Sequence, residues 1–187
     1  MTTIIALAGP KHSGKTCAGR AFAALTGAAF FDLDDEIGIC SGKSARELYK
    51  LGKDVFQTAE WVALKSVLRK TEGIHRAVIA LGGGFSDNRA ARALLEEWGG
   101  HIVFLAVSAE TAWKRIEAAQ AKSGELPAFL RTADPRQTHR EIHERRAAAC
   151  RNTASFVVEA ENKTAAEIAV AIDAAIAAGV IWESSTP

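Results

Sequence analysis

Gly9-Pro10-Lys11-His12-Ser13-Gly14-Lys15-Thr16 forms a GxxxxGKT stretch, with two glycines, a lysine and a hydroxyl at the spacing that holds phosphate. Glycines at 9 and 14 let the backbone turn so that successive amides point inward. The helix that follows brings its positive end to the same spot. Lys15 adds a full charge for the β and γ phosphates, and Thr16 offers a hydroxyl to Mg²⁺. Gly9, Lys11, His12, Ser13, Gly14, Lys15, Thr16 and Cys17 are therefore the candidate ATP-binding residues.

Phosphoryl transfer requires positioning and compensation of charge more than covalent chemistry. The acceptor hydroxyl needs a carboxylate, and Phe30-Phe31-Asp32-Leu33-Asp34-Asp35 supplies one: residues 32 and 34 can both reach one cleft while Leu33 turns into the core. Asp32 is assigned to the Mg²⁺ shell through water, and Asp34 to the acceptor hydroxyl. Lys15 and Asp34 are thus the candidate catalytic residues. The same acids would also suit a plain helix start, which is explanation enough for Asp35 and Glu36. In Gly82-Gly83-Gly84 three glycines let a substrate approach backbone amides closely. A flexible connector is the plainer alternative, but its entropic cost favours a substrate-binding role.

These groups need elements to hold them. Residues 3–8, 28–31, 77–81, 102–107 and 155–159 are short apolar runs that predict buried strands. Helical patterns fill the intervals at 15–25, 33–40, 44–50, 54–70, 87–98, 109–120, 137–152 and 164–178, with Ser44, Asp87 and Ser108 as N-cap candidates. Strands alternating with helices predict a three-layer α/β domain with a five-stranded parallel sheet. Ligands of such sheets gather at the carboxyl ends of the strands, where the loop, Asp32 and Gly82 all fall. Residues 119–136, with Lys122, Gly124, Pro127 and Pro135, lack clear apolar periodicity. They read either as a mobile lid over the site or as an ordinary surface loop.

With 187 residues, 48% of them hydrophobic, one domain over 1–187 can bury its own core without disulfides or metal. Lysine plus arginine number 23 against 22 acids, so charge makes no case for nucleic acid or an anionic membrane. A small-molecule substrate beside ATP and a monomeric chain are expected. Cys17, Cys40 and Cys150 show no CxxC spacing and suit free thiols in a reducing cytoplasm. The apolar start is too short for a signal sequence, and Ala169 to Trp182, interrupted by Asp173, is too short to span a bilayer. His139 and His143 have a spacing that can bind metal, but with no third ligand a solvated lid helix is the simpler reading. Arg136, Arg140, Arg145, Arg146 and Arg151 are interrupted by Glu141 and Glu144, which suits phosphate and substrate contacts better than an RNA-binding stripe. Trp61, Trp98, Trp113 and Trp182 read as packing residues, with Trp61 also able to line a pocket. The tail from 183 to 187 is expected to be disordered.

The GxxxxGKT loop, the Asp32–Asp34 DxD, the triple glycine and the order of strands and helices resemble the shikimate kinase family, within the nucleoside monophosphate kinase group. Gly52 to Glu60 is similar to its GxxxFRxxE segment, and Glu144 to Ala154 to its ERxPLYxxxA segment; the resemblance covers residues 3–178. It implies sheet order 2-3-1-4-5, a substrate-binding region at about 33–61, a lid at about 119–136, and Mg²⁺-ATP as donor. The implied reaction transfers the γ-phosphate to a hydroxyl of a small hydroxylated acid, in aromatic amino acid biosynthesis. It further implies Arg115 beside the adenine, and positions 57 and 146 on the substrate.

The chain departs from the family where the substrate carboxylate is held. Gln57 replaces an arginine, and a neutral amide cannot match a bidentate, permanently charged fork. Losing a buried charge partner costs ~2–5 kcal/mol. Leu126 stands where the family lid carries arginine, and Ala148-Ala149-Cys150 replaces Pro-Leu-Tyr, while Arg146 is retained. Lys53, Arg46, Lys122 and Arg131 are the cations that could substitute. Three readings follow: a shikimate-type kinase, a kinase for another polyol acid such as gluconate, or a nucleotide-binding regulatory module.

Overall fold

The computed structural model describes residues 2–179, without the side chains of Lys122, Ser123 and Ala128. The expectations for Trp182, for the tail and for Lys122 as a substitute cation lie outside what it describes. The elements run β1 (Thr3–Ala8), α1 (Lys15–Thr26), β2 (Ala29–Asp32), α2 (Leu33–Ser41), α3 (Ala45–Leu51), α4 (Lys53–Lys70) and β3 (Arg76–Ala80). A 3-10 turn over Phe85–Asp87 leads to α5 (Arg89–Glu97), β4 (His101–Ala106) and α6 (Ala109–Ser123). A second turn, Ala128–Leu130, precedes α7 (Pro135–Thr153), β5 (Phe156–Glu159) and α8 (Ala165–Ala177).

β1 pairs in parallel with β3 on one side and β4 on the other; β2 and β5 extend the sheet outward, giving the order β2-β3-β1-β4-β5. This is the implied order. Alternation along β1 makes the three layers: Ile4, Ala6 and Ala8 face a core completed by α2, α4 and α5, whereas Ile5 and Leu7 face one completed by α1 and α8. Because the central strand is covered on both faces, it reads as a continuous apolar run. The register sets Asp32 beside Ala80 and Ala8 beside Phe104, so the loops after β1, β2 and β3 open at one end of the sheet.

Ser44 and Ser108 cap α3 and α6 as expected, Ser44 within a full capping box. The predicted helix over 87–98 is instead a 3-10 turn followed by α5, and its cap is Asn88, whose side chain accepts from the Ala91 amide. The irregular stretch is also shorter than expected. α6 continues to Ser123 and α7 begins at Pro135, and between them Leu130 is buried with Trp113 and Ile116, with Leu126 and Phe129 packed alongside. Leu126 therefore packs into an apolar cluster with Trp113, Ile116 and Leu130.

Candidate active site

The turn after β1 is possible only with glycine at its start. Gly9 has φ 151°, and a Cβ there would lie 2.7 Å from Ser13 Oγ and 2.9 Å from the Leu105 carbonyl oxygen. Gly14 then caps α1 in the left-handed region, and the buried Lys15 turns back so that its ammonium donates to the carbonyls of Gly9 (3.0 Å) and Pro10 (2.9 Å). Burial lowers the Lys15 pKa to about 8, a fall opposed by Asp34 and Asp32. His12 is the non-glycine residue with positive φ among the described residues, and its carbonyl accepts from Arg115 Nη1 at 2.9 Å. Arg115 thus grips the loop from α6. Burial, with Lys11, Lys15 and Arg115 nearby, lowers the His12 pKa. Cys17 follows Thr16 at the exposed start of α1.

At the mouth of the loop Thr16 Oγ1 donates to Asp32 Oδ2 at 2.8 Å, and Asp32 Oδ1 accepts from the Asp34 amide at 3.0 Å. Asp32 therefore starts α2 and meets the loop hydroxyl at once. Their hard oxygens are the donor type that Mg²⁺ prefers. Asp34 faces a cavity of about 370 Å³ also lined by Lys11, His12, Gly82, Gly83, Gly84 and Arg146. Burial, then the neighbouring Asp32, raises its pKa, while Lys15 and Lys11 pull the other way.

Each glycine of the triplet is reserved by a different neighbour. A Cβ on Gly82 would meet Glu60 Oε1 at 3.1 Å and Asp34 Oδ1 at 3.6 Å; on Gly83, the Lys11 amide nitrogen at 3.0 Å; on Gly84, Arg146 Nη2 at 3.2 Å. The triplet packs the phosphate loop, the acidic groups and the arginine against one another. That is a packing reason for glycine beyond substrate approach.

Gln57 does not line this cavity. Its Nε2 donates to the Asp87 carbonyl at 3.0 Å, and Asp87 in turn holds Arg146, whose Nε donates to Oδ2 at 2.9 Å and whose Nη2 forms an ion pair with the same oxygen at 2.8 Å. Asp87, expected as a helix cap, is instead the partner of Arg145 and Arg146. Arg46 does line the cavity, but it is paired with Glu125 at 2.6 Å, as is Arg131 at 3.3 Å. Lys53 and Trp61 are not among the lining residues; Trp61 packs against the core with Lys65 over its ring.

Sequence reasoning passed over Glu60. It is fully buried, Oε2 accepts from Asn88 at 2.9 Å, Oε1 meets no protein donor, and burial raises its pKa to about 7. The polar residue in an otherwise core-facing helical position was the signal. His139 and His143 are also not solvated: they are 5% and 4% exposed, His143 Nε2 meets the Val107 carbonyl at 3.0 Å, and His139 packs on Trp113. Burial lowers the His139 pKa to about 4. Among the described residues no group of three or more metal-ligating side chains forms, and no helix is long and apolar enough to cross a membrane.

Comparisons with known proteins place the chain in a family. The shikimate kinase family model matches residues 11–177. Shikimate kinase of Streptomyces coelicolor is 32% identical over 173 residues, 91% of this chain and 94% of the relative, and that of Marinomonas sp. is 32% identical over 160 residues, 85% and 84%. A solved shikimate kinase from Acinetobacter baumannii in complex with shikimate superposes with a TM-score of 0.81 at 27% identity, covering 96% of this chain and 95% of that one. The chain belongs to the shikimate kinase family, with its P-loop α/β fold, and is an ATP-dependent small-molecule phosphotransferase acting on an alcohol group.

Proposed function

We propose that this chain phosphorylates a hydroxyl of shikimate using Mg²⁺-ATP, as a single cytoplasmic domain acting as a monomer. The observation that carries the reading is the convergence of Asp34, the triple glycine, Arg146 and the phosphate loop on one cavity. Lys15 is cationic at neutral pH and stands at the loop carbonyls, where it would bind the β and γ phosphates and compensate the charge that spreads over the transferring group. Lys11, Ser13 and Cys17 flank the same phosphates, and Arg115 fixes the loop beside the nucleotide.

Thr16 and Asp32, the latter through water, would hold Mg²⁺, which would supply charge compensation for the phosphates. Asp34 orients the acceptor hydroxyl and takes its proton; its upward-shifted pKa makes it a stronger base than an ordinary aspartate. Gly83 and Gly84 offer backbone groups to the acceptor, and Arg146 binds its carboxylate. Gln57 acts on the acceptor only through Asp87 and Arg146. Coupled ADP release against shikimate, quinate, gluconate, AMP and CMP tests the reading: saturable turnover on shikimate is expected, and activity only on another acceptor would overturn it.

A further inference from the structure

Arg146 has one edge occupied and one open. Its Nε donates to Asp87 Oδ2 at 2.9 Å and Nη2 forms an ion pair with the same oxygen at 2.8 Å, whereas Nη1 meets no protein acceptor among the described residues. The guanidinium lies beside Gly84 and beneath the Phe129 ring, 5.7 Å from its centroid, and it lines the cavity that Asp34 faces. The Nη1–Nη2 edge is therefore the fork presented to an acceptor.

Asp87 is itself held. Arg145 Nη1 donates to Oδ1 at 2.5 Å, and Gln57 Nε2 anchors the Asp87 carbonyl at 3.0 Å. Asn88, next in the chain, donates to the Gln57 carbonyl and to Glu60 Oε2, both at 2.9 Å, fixing the turn to α4. Two guanidinium groups thus share one carboxylate, and the set retains a net positive charge. Side-chain exposure is 15% for Arg146 and 13% for Asp87, against 60% for Arg145.

We propose that Asp87, braced by Gln57, is a positioning residue that locks Arg146 with its free edge toward the acceptor, so that one pre-oriented guanidinium does the work of recognising a carboxylate. Gln57 therefore contributes rigidity to the Asp87 turn and no charge of its own. Pre-orientation lowers the ordering cost of binding, so a single held fork recognises a carboxylate more tightly than a freely rotating one. The proposal rests on the reading of the acceptor as a hydroxylated acid.

Asp87→Asn should raise KM for shikimate about tenfold while kcat and the KM for ATP stay within about twofold, and Asp87→Glu should recover part of the loss. Gln57→Leu, which removes only the brace, should raise the shikimate KM about threefold and covers the case in which Asp87→Asn fails to fold. An unchanged or lowered shikimate KM in a folded Asp87→Asn protein would overturn the proposal, as would parallel rises in both KM values. A second readout needs no acceptor: nitrogen-15 NMR of the free protein should show Arg146 Nε–H protected from exchange in the wild type and released in Asp87→Asn. Absence of shikimate turnover would sink the proposed acceptor alone. Equal exchange in both proteins would sink the positioning role alone.

Discussion

Asn88 donates to one oxygen of Glu60 at 2.9 Å and leaves the other oxygen without a protein donor, 3.1 Å from where a Cβ on Gly82 would lie. This buried carboxylate is favoured as the neutral acid. Its folded pKa of about 7 lies above the unfolded value of 4.5, so the folded state binds more protons between these limits, and stability falls as pH rises from 4.5 through 7. Glu60→Gln keeps an acceptor for Asn88 and removes the ionisation. Relative to wild type it should gain about 3 kcal/mol more at pH 8 than at pH 4.5, read by urea unfolding. An equal difference at the two pH values would contradict the assignment.

The opposite sign holds for His139. The unfolded imidazole takes a proton near 6.5, but the folded one, buried against Trp113 and beside His143, does so only near 4. Its contribution is intact above pH 6.5 and lost as pH falls from there toward 4. His139→Gln should flatten this limb, losing about 3 kcal/mol less than wild type over the window in acid titrations followed by circular dichroism. A variant that denatures with the same acid profile as wild type would show that His139 is not the group responsible.

Lys15 sets a limit at the alkaline side. With its pKa lowered to about 8, the free enzyme loses the loop cation as pH rises through that value. The kcat/KM for ATP should decline about tenfold per pH unit above 8. A flat profile to pH 10 would mean that the loop lysine keeps its charge in solution despite its burial.

The distance over which a partner lies decided what the sequence revealed. The phosphate loop, β1 and the caps at Ser44 and Ser108 depend on residues a few positions apart, and all were legible. Asp87 was not, because a local capping rule cannot see Arg145 and Arg146, 58 and 59 residues away. For the same reason Gln57 read as a weakened substrate contact when its amide supports the Asp87 turn. His139 and His143 suited a solvated helix until α7 packed them against Trp113 and the Val107 carbonyl. The sheet order came from resemblance to a family and not from periodicity, which carries no information about which strands are neighbours.

In the proposed reaction Asp34 directs the phosphate of ATP onto an acceptor hydroxyl in this cavity. Phosphorus-31 NMR of the product formed from Mg²⁺-ATP and shikimate, by wild type and by Asp34→Asn, tests it most directly. A phosphate ester resonance is expected with the wild type, and formation about 10²–10⁴-fold slower with Asp34→Asn at unchanged ATP affinity. An ester formed at wild-type rate by Asp34→Asn, or ADP and inorganic phosphate with no ester from the wild type, would contradict it.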